Sequence, residues 1–141
     1  MASAQLMDGV GEFLHHCRAT GQTVFVVSHK TEFAHYDKAK INLRKAAFDW
    51  MSVRGFFSEG GFALRPNCVY FESSRAEKLH RIGSLQCHTF IDDLEEVLLD
   101  PNFPKGVRAI LFSKNPVDAS SEVVHCSTWR DVSKRIFDDV R

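Results

Sequence analysis

The chain has 141 residues, 44% hydrophobic and 26% charged, a size and composition that fit one globular domain with a real core. Its 18 Lys and Arg balance its 18 Asp and Glu. No net field therefore draws it to nucleic acid or to an anionic membrane, and neither is expected as a partner.

The first predicted element is a helix over 7–20, "MDGVGEFLHHCRAT". Val10, Phe13, Leu14 and Cys17 recur at helical spacing, with Asp8 as its cap and Gly21 as its stop. "TVFVVS" (23–28) is a continuous β-branched and aromatic run without alternation, the pattern of a parallel strand covered on both faces. A polar loop from His29 to about Lys38 leads to a second helix, "KAKINLRKAAFDWMSVRG". Its apolar face carries Ile41, Leu43, Ala46, Ala47, Trp50 and Met51, and Gly55 closes it.

"FFSEGGFALRPN" reads as a Gly and Pro loop before "CVYF" (68–71), another short buried strand. Ser73 or Ser74 then caps "RAEKLHRIGSLQ", where Leu79, Ile82 and Leu85 form the apolar stripe. "HTFIDDLEEVL" (88–98) supplies a strand that runs straight into a helix. "PNFP" is a turn, "VRAILF" (107–112) a buried strand, and "EVVHC" a short edge strand before a last helix, "TWRDVSKRIFDDV". Alternation of this kind predicts an α/β fold, a doubly wound, mostly parallel Rossmann-like three-layer sandwich in a single domain over 1–141.

Cys17, Cys68, Cys87 and Cys126 are far apart and form no metal or redox spacing, and the seven histidines likewise show none. The cysteines are expected to be reduced and mostly buried, and the tryptophans and phenylalanines to lie in the core. With no signal-like or membrane-spanning run, a cytoplasmic location is expected. His29 is expected to be a loop histidine.

In parallel sheets of this class, ligands gather beyond the carboxyl ends of the strands. There the chain places Ser28, Lys30 and Thr31 after the first strand, Lys78 on the helix after the second, and Asp92 and Asp93 at the end of the third. Two adjacent acids repel each other unless a cation lies between them and a substrate. A hydroxyl, an ammonium and paired carboxylates together suit a phosphate group with Mg2+. Their structural alternatives are a turn serine, a solvated helix lysine, and a helix N-cap with a first-turn acid.

"TVFVVSHKT", Lys78 in "RAEKLHRI" and "HTFIDD" resemble, in order and spacing, the second, third and fourth motifs of the haloacid dehalogenase superfamily of phosphohydrolases. The resemblance covers about residues 7–116. It implies that Ser28 binds phosphate, that Lys78 stabilises both the phosphate and a nucleophile, and that Asp92 and Asp93 bind Mg2+. Lys30 and Thr31 would either line the mouth of the site, near the phosphate, or face solvent, and the substrate would be a small phosphate monoester.

The family's first motif, D-x-D-x-T or a close variant, is absent, and with it the aspartate that attacks phosphorus. In the family that strand lies in the middle of the sheet, between the strands carrying Ser28 and Asp92. Ahead of "TVFVV" the only acids are Asp8 and Glu12, neither preceded by an apolar strand. The expectation is therefore a scaffold catalytically incomplete by itself, its nucleophile supplied by an upstream segment or another chain, with homodimerisation through an exposed sheet edge. The alternatives are a non-catalytic phosphate-binding, metal-binding or interaction module of the same fold and, further off, an unrelated doubly wound domain.

Overall fold

Helix α1 (Val10–Ala19) forms where the apolar spacing predicts it and buries Phe13, Leu14 and Cys17. These belong to a computed structural model that describes residues 6–29, 42–114 and 123–138. The cap differs from expectation. Asp8 lies in the preceding turn, and the cap position is Gly9 at φ 88°, with no side-chain cap bond. A left-handed backbone is what glycine allows and aspartate resists, so the geometry of the turn selects the residue. The helix ends at Thr20 followed by Gly21 at φ 74°, the expected left-handed stop.

The first compact unit (Met1–Lys78) contains α1, strand β1 (Val26–His29), helix α2 (Leu43–Val53) and strand β2 (Val69–Glu72). β1 starts three residues later than the apolar run suggests and includes His29, a strand-end residue here and not a loop one. β1 and β2 are parallel, with Val26 opposite Val69, Ser28 opposite Phe71 and His29 opposite Glu72.

Asn42 caps α2 by accepting from the Lys45 N–H at 2.8 Å. Ala47 and Met51 are the buried residues of that helix. Ile41, expected on the same face, lies outside the described residues.

The glycine-rich loop after α2 folds back on itself. The Phe62 N–H donates to the Gly55 carbonyl at 3.0 Å, and a Cβ at Gly61 would lie 2.1 Å from that same oxygen. Only a residue without a side chain fits there. Arg18 of α1 ties the loop down by donating to the carbonyls of Glu59 and Gly61 at 2.5 and 2.9 Å. The aromatics gather around it: Phe56 meets Phe62 edge-on at 5.4 Å, and Phe48 stacks on Phe57 at 4.7 Å.

The boundary between the units falls within helix α3 (Arg75–Ser84). Ser74 is its cap, accepting from the Glu77 N–H at 3.1 Å, while Leu79 and Ile82 are buried.

The second unit (Leu79–Arg141) holds strand β3 (Thr89–Asp92), the single helical turn α4 (Glu95–Leu98), strands β4 (Arg108–Phe112) and β5 (Val124–Cys126), and helix α5 (Trp129–Ser133). Thr128 caps α5 through the Asp131 N–H at 3.1 Å, and the helix runs on as a π turn, Lys134–Asp138. The sheet order is β3-β4-β5, all parallel. Ala109, Ile110 and Leu111 are buried in succession along β4, as expected for a central parallel strand covered on both faces.

The fold is thus α/β with parallel pairing throughout, but the described strands form one two-stranded and one three-stranded sheet instead of one continuous sheet. No helix among the described residues is long and apolar enough to cross a membrane.

All four cysteines carry free thiols. Burial pushes the Cys17 thiol up from its ordinary 9.0 to about 11. The thiols of Cys87 and Cys126 are also raised, by burial first and for Cys126 by the nearby Asp131 charge as well. Thiols shifted this way stay protonated near neutral pH and behave as small apolar side chains. Cys68 and Cys87 are half-buried, so complete burial holds only for Cys17 and Cys126.

Candidate functional site

In the first unit the carboxyl ends of β1 and β2 lie side by side. Ser28 is half-buried at the penultimate position of β1, paired in register with Phe71. One residue further, His29 is exposed, and its Nε2 lies 3.1 Å from the Ser73 carbonyl oxygen. Ser73 follows directly on β2. Its hydroxyl accepts from Nη2 of Arg44 at 2.7 Å, and its N–H donates to Glu77 Oε2 at 3.2 Å. A parallel pair with helices following each strand thus gathers Ser28, His29, Ser73 and Arg44 at one rim, for the reason that places ligands there in α/β sheets generally.

Lys78 stands in the first turns of α3, with its N–H bonded to the Ser74 carbonyl at 3.0 Å. Only 7% of its surface is exposed. This burial speaks against the solvated-lysine reading. A solvated helix lysine would point into water, whereas lysine is almost never this buried without a charged or hydrogen-bonding partner. The burial of α3's inner face is legible in the Leu79 and Ile82 spacing. The inclusion of Lys78 in it is not.

The second unit carries the acids. Asp92 is the last residue of β3, also 7% exposed, and its Oδ1 accepts from the Leu94 N–H at 2.9 Å. This is an Asx turn leading into α4. It differs from the helix N-cap of the structural alternative, since the cap position of α4 is Leu94 with no side-chain bond. Asp93 is exposed, so the adjacent acids differ in environment.

Among the described residues, no group of three or more His, Cys, Asp or Glu side chains is gathered as for a metal ion. Two carboxylates are still a fitting donor set for Mg2+. It is commonly held by one or two protein acids, with waters and substrate oxygens completing six ligands. They fit zinc poorly, because its sites favour nitrogen and sulfur.

Ser28 and Lys78 therefore belong to the first unit and Asp92 and Asp93 to the second, while Lys30 and Thr31 lie outside the described residues. Arg44 was not singled out in the sequence. The available signal was "NLRKAA", two cations in the first turn of a helix that holds no acid there, against the preference set by the helix dipole. Searches against protein-family models, curated proteins and solved structures find no match.

Proposed function

We propose that this chain is a phosphohydrolase scaffold of the haloacid dehalogenase type, with a Rossmann-like sheet in which Ser28 and Lys78 receive a phosphoryl group and Asp92 and Asp93 receive Mg2+. The observation that carries this reading is the burial of Lys78 on the helix that follows β2, the strand paired with the one carrying Ser28, an environment that a solvated lysine does not adopt. In this reading the Ser28 hydroxyl donates to a phosphoryl oxygen, and the Lys78 ammonium neutralises the charge there. Mg2+, when bound, would polarise a phosphoryl oxygen and offset its negative charge.

Hydrolysis further requires a carboxylate to attack phosphorus. Asp8 sits in a turn and Glu12 in the first turn of α1, and neither ends a strand. The reaction is therefore read as depending on an aspartate from an upstream segment or another chain, and this chain alone as inactive. The same observation favours a second reading, a module of this fold that binds phosphate without turning over an ester.

Calorimetric titration separates these outcomes. Inorganic phosphate is expected to bind more tightly in the presence of Mg2+, and Asp92→Asn combined with Asp93→Asn is expected to abolish that enhancement. Enhancement that survives the double substitution would remove the acids from metal binding. Phosphate binding without release from an aryl phosphate supports the second reading for the chain by itself; full turnover by this chain alone would overturn the dependence on an added aspartate.

The reading includes homodimerisation. A two-stranded sheet of four-residue strands is marginal by itself, and its outer backbone groups offer a template for pairing. Sedimentation is expected to show a mass twice the chain's 16.0 kDa; a monomer at all accessible concentrations would eliminate it. Free thiols suit the reducing cytoplasm proposed for the chain.

A further inference from the structure

The phosphate reading leaves His125 unused, although it interrupts the apolar run "VVHC" on β5. Asp92, Leu111 and His125 form one register row across β3, β4 and β5. Partners in register in a parallel sheet lie on the same face, and successive residues alternate between faces. The buried Asp92 carboxylate and the His125 ring therefore share a face on which their neighbours Phe90, Ala109 and Leu111 are buried and apolar. Helix α5 packs on the opposite face, where Trp129 stacks on Phe112.

His125 Nε2 lies 2.7 Å from the carbonyl oxygen of Ser113, the residue that follows β4. That contact carries the ring from β5 across to the exit of the middle strand, the side on which Asp92 stands. A carbonyl oxygen only accepts, so Nε2 carries the proton of the neutral ring and Nδ1 is left as an acceptor. Nδ1 has no hydrogen-bond partner among the described residues. The ring is half-buried, where a polar atom gains more from a fixed partner than it would in bulk water. Two strand spacings, about 10 Å, separate the backbones of Asp92 and His125. That is the scale of a carboxylate, a hydrated divalent ion and an imidazole in a row, and Mg2+ keeps several waters when protein acids hold it.

We propose that His125 is a positioning residue of the Mg2+ site, its Nδ1 accepting a hydrogen bond from a water held by the ion at Asp92. This inference rests on the metal reading of Asp92 and Asp93 and extends it to a third side chain, which acts through water and not as a direct ligand. A ring of fixed tautomer orients that water, as partners just outside a ligand set commonly do.

Calorimetry with Mg2+ on the full chain tests it, with two substitutions that separate the two ring nitrogens. His125→Gln retains an N–H able to reach the Ser113 carbonyl but has no acceptor at the place of Nδ1. It is expected to lower Mg2+ affinity about tenfold or more with an unchanged melting temperature. His125→Asn keeps an acceptor at the place of Nδ1 and loses the Ser113 bond, so it is expected to keep most of the affinity and melt lower. Mn2+, which takes the same oxygen ligands, supplies a spectroscopic readout. Its paramagnetism is expected to broaden the His125 ring signals, assigned by their absence from His125→Gln, before those of His88 just ahead of β3. Asp92→Asn combined with Asp93→Asn is expected to abolish the effect.

Unchanged Mg2+ affinity in His125→Gln, an equal loss in His125→Gln and His125→Asn, or His125 signals that Mn2+ broadens no earlier than those of His88 would overturn this inference alone, provided that the acids still govern metal binding. If neither ion binds wild type, or binding survives the double acid substitution, the metal reading fails and this inference with it.

Discussion

Replacing Lys78 by methionine is expected to weaken binding of inorganic phosphate roughly tenfold to a hundredfold, equivalent to the ~1.5–3 kcal/mol of a hydrogen bond to a charged group. Methionine keeps much of the volume and apolar character of the lysine stem, which is buried with the rest of the side chain. The substitution therefore tests the ammonium more than the packing. A melting curve taken alongside shows how much of the effect is stability. Had Lys78 been a solvated helix lysine, as its sequence alone allows, neither quantity would move. Unchanged phosphate affinity in Lys78→Met would take Lys78 out of the site.

The largest effect on stability is expected from Ile110→Ala. Ile110 is fully excluded from solvent, on the middle strand of the three-stranded sheet, in register with Ile91 on one side and Val124 on the other. Removing its branched side chain loses its transfer energy and leaves a cavity that rigid parallel strands fill poorly, at a cost of about 2–5 kcal/mol. Against a total stability of about 5–15 kcal/mol this is a large share, and the melting temperature should fall by on the order of 10 °C.

Trp129 offers a local probe, because it stacks on Phe112 at 4.9 Å within the same unit. Fluorescence in a Trp50→Phe background isolates it, since the chain has two tryptophans. A loss below about 1 kcal/mol would show that the β3-β4-β5 sheet is not the core of its unit.

The position of the candidate residues along the chain was readable before any coordinates. Ser28 and Asp92 stand at or near strand ends and Lys78 on the helix after a strand, because apolar runs without alternation announce parallel strands, and polar residues mark where those runs stop. Their environments were not readable. Asp92 and Asp93 carry the same charge signal in sequence, yet one is buried and the other exposed. Burial depends on which direction a turn of helix or strand faces and on what other segments meet it. Arg44 shows the same limit from the other side, since its hydrogen bond to Ser73 joins residues 29 positions apart. Windowed periodicity carries no information about such a pair.

Residue pattern dictates the order and type of elements, α/β with parallel strands, and the polar residues at the strand ends. Short-range sterics and hydrophobic spacing are enough for that. It also contained the balance of charge and the scattered thiols. The tertiary structure alone decided that β1 and β2 form one parallel pair while β3, β4 and β5 form another sheet. It decided as well that Gly9 and not Asp8 caps α1, and that Asp92 spends one oxygen on an Asx turn. The reason is common to all three. Strand partners, left-handed turns and carboxylate hydrogen bonds depend on backbone groups brought together by folding, and residue type constrains these only loosely.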